Sequence, residues 1–362
     1  MMDTITRLRD ALEGPNTYGS SNRFWLGLAV VLAGLLVYPQ FTGGFVAANT
    51  ALFLIYGFLA LSLALIWGYC GILSFGQVVF FGVGGYVFGI VGINFAGPEW
   101  TIIALFAGVL AATASAAVLG YFMFYGDVRD VYVSIITLVV TLALFTFMSR
   151  TAGSEWAIGE ARLGGLNGMT GIPTLAVGVS ETALVLDGIA LYYAVLVLLV
   201  ATYLGLRVFV NSRYGRMLVA VREDEDRTEM FGYDTRRIKL GAFSFGGALG
   251  GFGGGLFASW GNFMDPSVFG ITFAILPIVW VSIGGRKSLL GAIGAALAIE
   301  WVSNRLAATG SEYALIVVGV LLLGTIRFLP EGVVPRLATL VETQRQLSGQ
   351  PPASDETGQS PE

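Results

Sequence analysis

An all-α bundle crossing a bilayer about ten times is what three features of the sequence predict: little charge, long apolar runs and abundant glycine. Of 362 residues, 55% are hydrophobic and only 12% are charged, about half the charged share of ordinary soluble domains. A soluble chain of this length still needs a charged surface, so burial in one core does not account for the deficit. Mean hydropathy is +0.76. Glycine contributes 50 residues, roughly twice its usual frequency of about 7%, and small residues are what allow helices to approach closely in lipid.

Ten apolar segments are predicted, over 24–39, 46–67, 72–95, 101–122, 131–149, 190–210, 239–258, 269–283, 289–306 and 312–326. About 20 apolar residues cross the hydrocarbon core, and fewer serve in a broken helix; the first, eighth and tenth segments are the short ones. The first follows Arg7, Arg9 and Arg23, like the front of a signal peptide, but the second follows almost at once and no cleavage is expected. The chain then divides into a cytoplasmic segment 1–23, a transmembrane domain 24–335 and a cytoplasmic tail 336–362. The tail ends in SGQPPASDETGQSPE, a composition that does not fold alone.

Positive charge sets the orientation. With both termini inside, 17 of the 20 lysines and arginines fall inside, and only Arg150, Arg162 and Arg305 fall outside, as the positive-inside rule requires. Two connections are long. The outside stretch 151–188 contains the turn-forming run Gly164-Gly165-Leu166-Asn167-Gly168, while the inside stretch 211–238 mixes both signs of charge.

The residues exclude several chemistries. There is no histidine, which removes the commonest general base and metal ligand, and the single cysteine, Cys70, permits no internal disulfide. No phosphate-binding G-x-x-x-x-G-K-[ST] is present: ahead of Lys287-Ser288, positions 281 and 286 are Val and Arg. Ser74 lacks the glycine of a nucleophile elbow. No catalytic residue, metal site or resident cofactor is therefore expected. Glu300 is the one acid placed well inside a segment; it reads as a structural group, with a proton site as the alternative. Gly246, Gly250 and Gly254 form one small-x-x-x-small series and Gly247, Gly251 and Gly255 a second, both read as helix packing. In the inside stretch, Tyr214, Met217, Leu218 and Val221 recur at helical spacing beside charges. Such a helix lies on lipid or docks in a partner's groove. Its flank is mixed, with Arg216, Arg222 and Arg227 against Glu223, Asp224, Glu225 and Asp226; this favours a protein groove.

Several motifs occur in order: Gly68-Tyr69-Cys70-Gly71-Ile72-Leu73-Ser74-Phe75-Gly76-Gln77, then Phe80 to Tyr86, Val131 to Thr137, Gly164 to Pro173, Tyr214 to Glu225, and Phe328-Leu329-Pro330-Glu331-Gly332. Together, over roughly residues 46–335, they resemble the permease subunits of branched-chain amino acid and urea ABC importers. Trp280 to Arg286, Gly232-Tyr233-Asp234 and Ser134 to Thr137 lean toward the urea-type subunit. Gln77 departs from the family, where histidine is common, and so does Asp130, where glycine is usual.

The resemblance implies a multi-pass cell-membrane permease that performs no covalent chemistry. It would work with a homologous second permease, two cytoplasmic ATPases that use ATP, and an extracytoplasmic solute-binding protein. The ATPase-docking residues would be Arg213, Tyr214, Gly215, Arg216, Arg222, Glu223, Asp224, Arg227 and Gly232. The translocation path would include Ser74, Gln77, Thr137 and Glu300. The alternative is a secondary transporter acting alone through Glu300.

Overall fold

Helix α1 (Asn22–Leu63) begins at Ser21, whose hydroxyl accepts the Phe24 N–H, and runs on into a π-helical turn, Ala64–Tyr69. The computed structural model describes residues 12–19, 21–95, 97–178 and 182–308, with 319, 320, 324 and 336. Beyond α1 come α2 (Gln77–Asn94), α3 (Pro98–Tyr125), α4 (Asp130–Ser149) and α5 (Gly188–Asn211). Two short helices follow, α6 (Arg213–Glu223) and α7 (Glu225–Met230), and then α8 (Thr235–Gly261), α9 (Ile271–Gly284) and α10 (Leu289–Ala308). Among the described residues, seven helical runs are long and apolar enough to cross a membrane, and α9 is a shorter apolar helix. The tenth expected segment, 312–326, falls almost wholly outside the described residues.

The first run, Asn22–Tyr69, is 48 residues long, roughly 70 Å at 1.5 Å per residue and more than twice the hydrocarbon thickness. It is not straight. Gly43, at φ 78° and ψ 165°, leaves the helical region, a conformation glycine adopts without steric cost. The chain turns back there: the Thr50 hydroxyl lies 3.5 Å from the Tyr38 hydroxyl, whereas twelve residues of straight helix span roughly 18 Å. The expected segments 24–39 and 46–67 are thus two legs of one helical run, joined without a loop.

Two other expectations need correction. Segment 72–95 does not begin as helix: residues 71–76 are irregular and α2 starts at Gln77. The fold is also not wholly α. The long connection 151–188 and its neighbour form three two-residue ladders: β1 (Ala157–Ile158) with β2 (Ala161–Arg162), β3 (Met169–Thr170) with β6 (Phe263–Met264), and β4 (Ala176–Val177) with β5 (Leu184–Val185). Glycine-rich turns shape this segment, with positive φ at Gly159, Gly164, Gly165, Gly168, Gly171 and Gly178.

The core is built around α8. Its two glycine series serve two different neighbours. Gly250 and Gly254 lie against the α2 backbone at Gln77 and Phe81, and Gly246 against Ile66 and Ser62. Gly247 and Gly251 lie against Ala116 and Ala112 of α3, and Gly255 against Leu105. A side chain at Gly254 would strike the Phe81 carbonyl, and one at Gly84 of α2 would strike the Gly251 backbone. Where backbones meet this closely, dispersion contact does what the hydrophobic effect cannot do between helices in lipid.

Gly254→Val is therefore expected to abolish accumulation of the folded chain in membranes, because backbone cannot move aside as a flexible side chain can. Gly261→Val, where no atom lies within 4 Å of the added carbon, is expected to leave the level within about twofold. Quantifying detergent-resistant, monodisperse protein for both variants checks the contrast.

Candidate functional site

The irregular stretch 71–76 breaks the path from α1 to α2 inside the bundle, so its backbone groups need partners other than helix. Side chains of α4 supply them. The Thr137 hydroxyl accepts the Phe75 N–H at 3.1 Å, and Ser134 donates to the Leu73 carbonyl at 2.8 Å. The Ser74 hydroxyl accepts the Gly76 N–H at 3.0 Å. Gly76 leaves room for this bracing, since an added Cβ there would sit 3.1 Å from Thr137. Ser74, Gln77 and Thr137 are each at most 1% exposed. The structure brings Ser74 and Thr137 together at Gly76, while the Gln77 side chain does not join them.

Gln77 faces the other way, toward α1 and α8. The Ser62 hydroxyl lies against both the Gln77 amide oxygen and the Gly246 carbonyl, the latter at 2.7 Å, while Gln77 Nε2 has no partner. Ser62 has one proton to donate. With that proton on Gly246, reversing the Gln77 amide turns its NH2 to the Ser62 oxygen and gives Nε2 an acceptor.

Glu300 is not part of this cluster. It stands on α10 beside Trp280 and Tyr56, within an aromatic group in which Tyr56 stacks on Trp280 at 5.5 Å. Arg305 lies over the Trp301 ring at 5.5 Å.

The expected docking stretch folds as a hairpin of α6 and α7. Ser212 caps α6 by accepting the Gly215 N–H, and Asp224 caps α7 by accepting the Arg227 N–H at 2.9 Å. The apolar stripe does not face outward. Leu218 and Val221 are buried within the chain, Tyr214 donates to the Ile238 carbonyl at 2.8 Å, and Gly215 lies against the Val210 backbone. Their spacing marked a face that packs on the protein's own helices. Arg213, Arg216, Glu223, Asp224, Arg227 and Gly232 remain exposed. The outward apolar surface is instead at the end of α7 and in its connection to α8, where Met230 is 87% exposed, Phe231 76% and Tyr233 50%. The sequence reading passed over Met230 and Phe231 because they interrupt the helical period.

Charged groups clamp this hairpin to the bundle. Arg222 donates to the Gly68 carbonyl, at the end of the π-helical turn just before the break, and its Nε donates to Glu223 at 3.1 Å. That hydrogen bond, then the Arg222 charge and Lys287, hold the Glu223 carboxyl below its usual range. Lys239 at the start of α8 pairs with Glu225 and lies 5.4 Å over the Phe124 ring. Arg236 reaches Asp127 in the α3–α4 turn at 2.8 Å. Arg207, near the end of α5, is 1% exposed. Its donors go to the Leu12 and Gly19 carbonyls and the Tyr203 hydroxyl at 2.6–2.9 Å, beneath the Phe24 and Trp25 rings. Arg207 thereby ties residues 12–19 to the helix that leads into the hairpin.

Long apolar helices around a glycine core, with a charged hairpin on one face, define a polytopic membrane protein. The chain belongs to the family described as branched-chain amino acid transport system / permease component, whose model matches residues 45–326. It is 28% identical over 334 residues to the high-affinity branched-chain amino acid transport system permease protein LivM of Escherichia coli (strain K12), covering 89% of this chain and 77% of that one. The protein of the same name from Salmonella typhimurium is 27% identical over the same shares. A probable branched-chain amino acid transport permease protein LivM of Methanocaldococcus jannaschii is 28% identical over 102 residues, 27% of this chain and 30% of that one. No solved structure matches the chain. It is accordingly a multi-pass permease of the cell membrane.

Ser62→Ala is expected to cost roughly 1–3 kcal/mol, because it leaves the Gly246 carbonyl and the Gln77 amide buried without their shared partner. Gln77→Leu keeps the Ser62–Gly246 bond and is expected to cost less than about 1 kcal/mol. Thermal unfolding of the purified variants in one detergent measures both.

Proposed function

We propose that this chain is one permease subunit of an ATP-binding cassette importer for branched-chain amino acids. It would cross the membrane ten times, with both termini inside, beside a homologous permease. Two cytoplasmic ATPases and an extracytoplasmic solute-binding protein would complete the machine. ATP is used by the partner ATPases, and this chain performs no covalent chemistry. The observation that carries the reading is family membership joined to one geometric fact: an exposed apolar stretch, Met230-Phe231-Gly232-Tyr233, between the end of α7 and the start of α8, in a segment that charged groups clamp to the helix break. A stretch of this kind with exposed charges around it suits a groove on a soluble partner, apolar at its centre and charged at its rim. The docking set extends from Arg213, Arg216, Glu223, Asp224, Arg227 and Gly232 to Met230 and Phe231.

The mechanical reading follows from the clamps. Movement of an ATPase that grips the end of α7 would pass through α7 and α6 to Arg222, and from Arg222 to the Gly68 carbonyl beside residues 71–76. The bracing of that stretch by Ser74, Ser134 and Thr137 lets it shift as a unit when inward and outward openings alternate.

The relatives' names favour branched-chain amino acids over the urea lean of the short motifs. A neutral path is compatible with a zwitterionic solute, because helix ends in a broken segment present backbone dipoles to both of its charges. The isolated position of Glu300, away from the helix break, gives no support to a proton-coupled carrier acting alone.

The test is uptake in cells expressing the full set of subunits and lacking other carriers. Saturable leucine uptake is expected with this chain present, and at least a tenfold loss with Phe231→Ser at unchanged membrane levels. The Phe231→Ser complex should also lose ATPase subunits on purification. Urea uptake without leucine uptake would overturn the solute. Full uptake and normal ATPase retention in Phe231→Ser would overturn the docking assignment.

A further inference from the structure

Between the first leg of α1, α5 and α10 lies a groove of about 660 Å³, open along one side and lined by residues that include Phe24, Leu28, Leu35, Leu199, Ile293 and Gly294. Among the described residues, no charged side chain lines it. Tyr203 brings its one side-chain heteroatom, and that hydroxyl already accepts an Arg207 N–H at 2.9 Å. The volume is within the range of built ligand pockets, about 300–1,000 Å³.

Length, depth and charge together specify the occupant. From Phe24 to Leu35 the groove follows eleven helical residues, roughly 16 Å, which is half of the ~30 Å hydrocarbon core and so one leaflet. Around the Phe24 end, exposed cations are sequence neighbours of lining residues. Arg23 is exposed one residue before Phe24, and exposed Arg286 and Lys287 occupy the turn between the lining residues Gly284 and Leu290. Arg286 also covers the Trp67 ring at 5.0 Å. The acids at this end are engaged: Glu13 accepts the Trp25 indole N–H at 2.6 Å, and Glu223 lies between Arg222 and Lys287. At the Leu35 end no cation lines the groove, and the Leu35 and Leu36 carbonyls accept the Tyr192 and Tyr193 hydroxyls at 2.7 and 2.9 Å. The result is an apolar channel one leaflet long with a positive mouth, on the same face as the hairpin.

We infer that this groove holds one acyl chain of an anionic phospholipid, its phosphate held by Arg23 and Arg286. Apolar surface and basic residues at the headgroup level are the two halves of lipid recognition between membrane helices. Arg207 takes no part, since its donors are bound to carbonyls and to Tyr203. The site deepens the membrane-permease reading and depends on it, but not on the docking role of the hairpin.

Two variants separate chain from headgroup. At Gly294, a lining residue, an added Cβ meets no atom of the described residues within 4 Å, so Gly294→Leu is expected to fill the groove and spare the fold. The pair Arg23→Gln and Arg286→Gln removes charge and leaves the groove open. The full chain, extracted from membranes, is offered equal phosphatidylglycerol and phosphatidylethanolamine, and retained lipid is counted by native mass spectrometry. The wild type is expected to keep phosphatidylglycerol in at least fivefold excess. Gly294→Leu should lose retained lipid about tenfold, and the arginine pair should lose only the preference for phosphatidylglycerol. Unchanged retention in a well-folded Gly294→Leu protein, or no preference in the wild type, would overturn the site. So would near-complete cross-linking of Gly294→Cys to Ala314→Cys, which would give the groove to the chain's own later segment. A chain that fails to partition into membranes at all would instead overturn the membrane reading beneath it.

Discussion

Everything in this fold depends on α8 coming within backbone contact of α2 and α3. Lipid tails are as apolar as leucine, so burying apolar side chains between helices gains little in a membrane, and close van der Waals contact must do the work. Gly246, Gly250 and Gly254 on one row, with Gly247, Gly251 and Gly255 beside it, make α8 a two-sided rail. One row sets the depth of α2 and therefore the position of the helix break before Gln77. The other sets α3, whose far end meets α8 again through Asp127 and Arg236. The start of α8 in turn carries Lys239, which holds α7. The same contacts that pack the core also aim the hairpin.

The second layer of the architecture uses cations to finish helix ends. The last carbonyls of a helix lack internal partners and carry partial negative charge. Arg222 answers one such carbonyl, that of Gly68 at the end of the π-helical turn. Arg207 does the same for the Leu12 and Gly19 carbonyls, with aromatic rings covering its faces. These are charge-assisted bonds to neutral acceptors, which avoid the desolvation of a second buried charge. They tie α5, α6 and the α1 terminus into one body on the hairpin face.

Much of this was legible in the sequence, and the failures have physical causes. Nine of the expected segments fall on described helices because long apolar runs leave little choice in lipid. The glycine rows showed close packing but not that each row serves a separate neighbour, since spacing does not name partners. The break at 71–76 was hidden inside an apolar segment: its motif is rich in glycine and hydroxyls, yet its hydropathy never falls. The stripe Tyr214, Met217, Leu218 and Val221 correctly marked a buried face. What buries it is this chain's own bundle, and periodicity does not distinguish that from a partner's groove. Ser62 and Arg207 carried no local signal, because their partners lie 184 to 195 residues away in sequence.

The proposed function would require the α6–α7 hairpin, and the bundle end to which it is clamped, to move as one body when partner ATPases cycle. Spin labels at Asp226→Cys on α7 and Lys287→Cys on the α9–α10 turn, in a Cys70→Ser background, report on it directly. In the reconstituted importer their distance distribution should be the same, within about 2 Å, with and without bound ATP. A shift of 5 Å or more between the two states would contradict the account, because the hairpin would then swing free of the helices it is meant to drive.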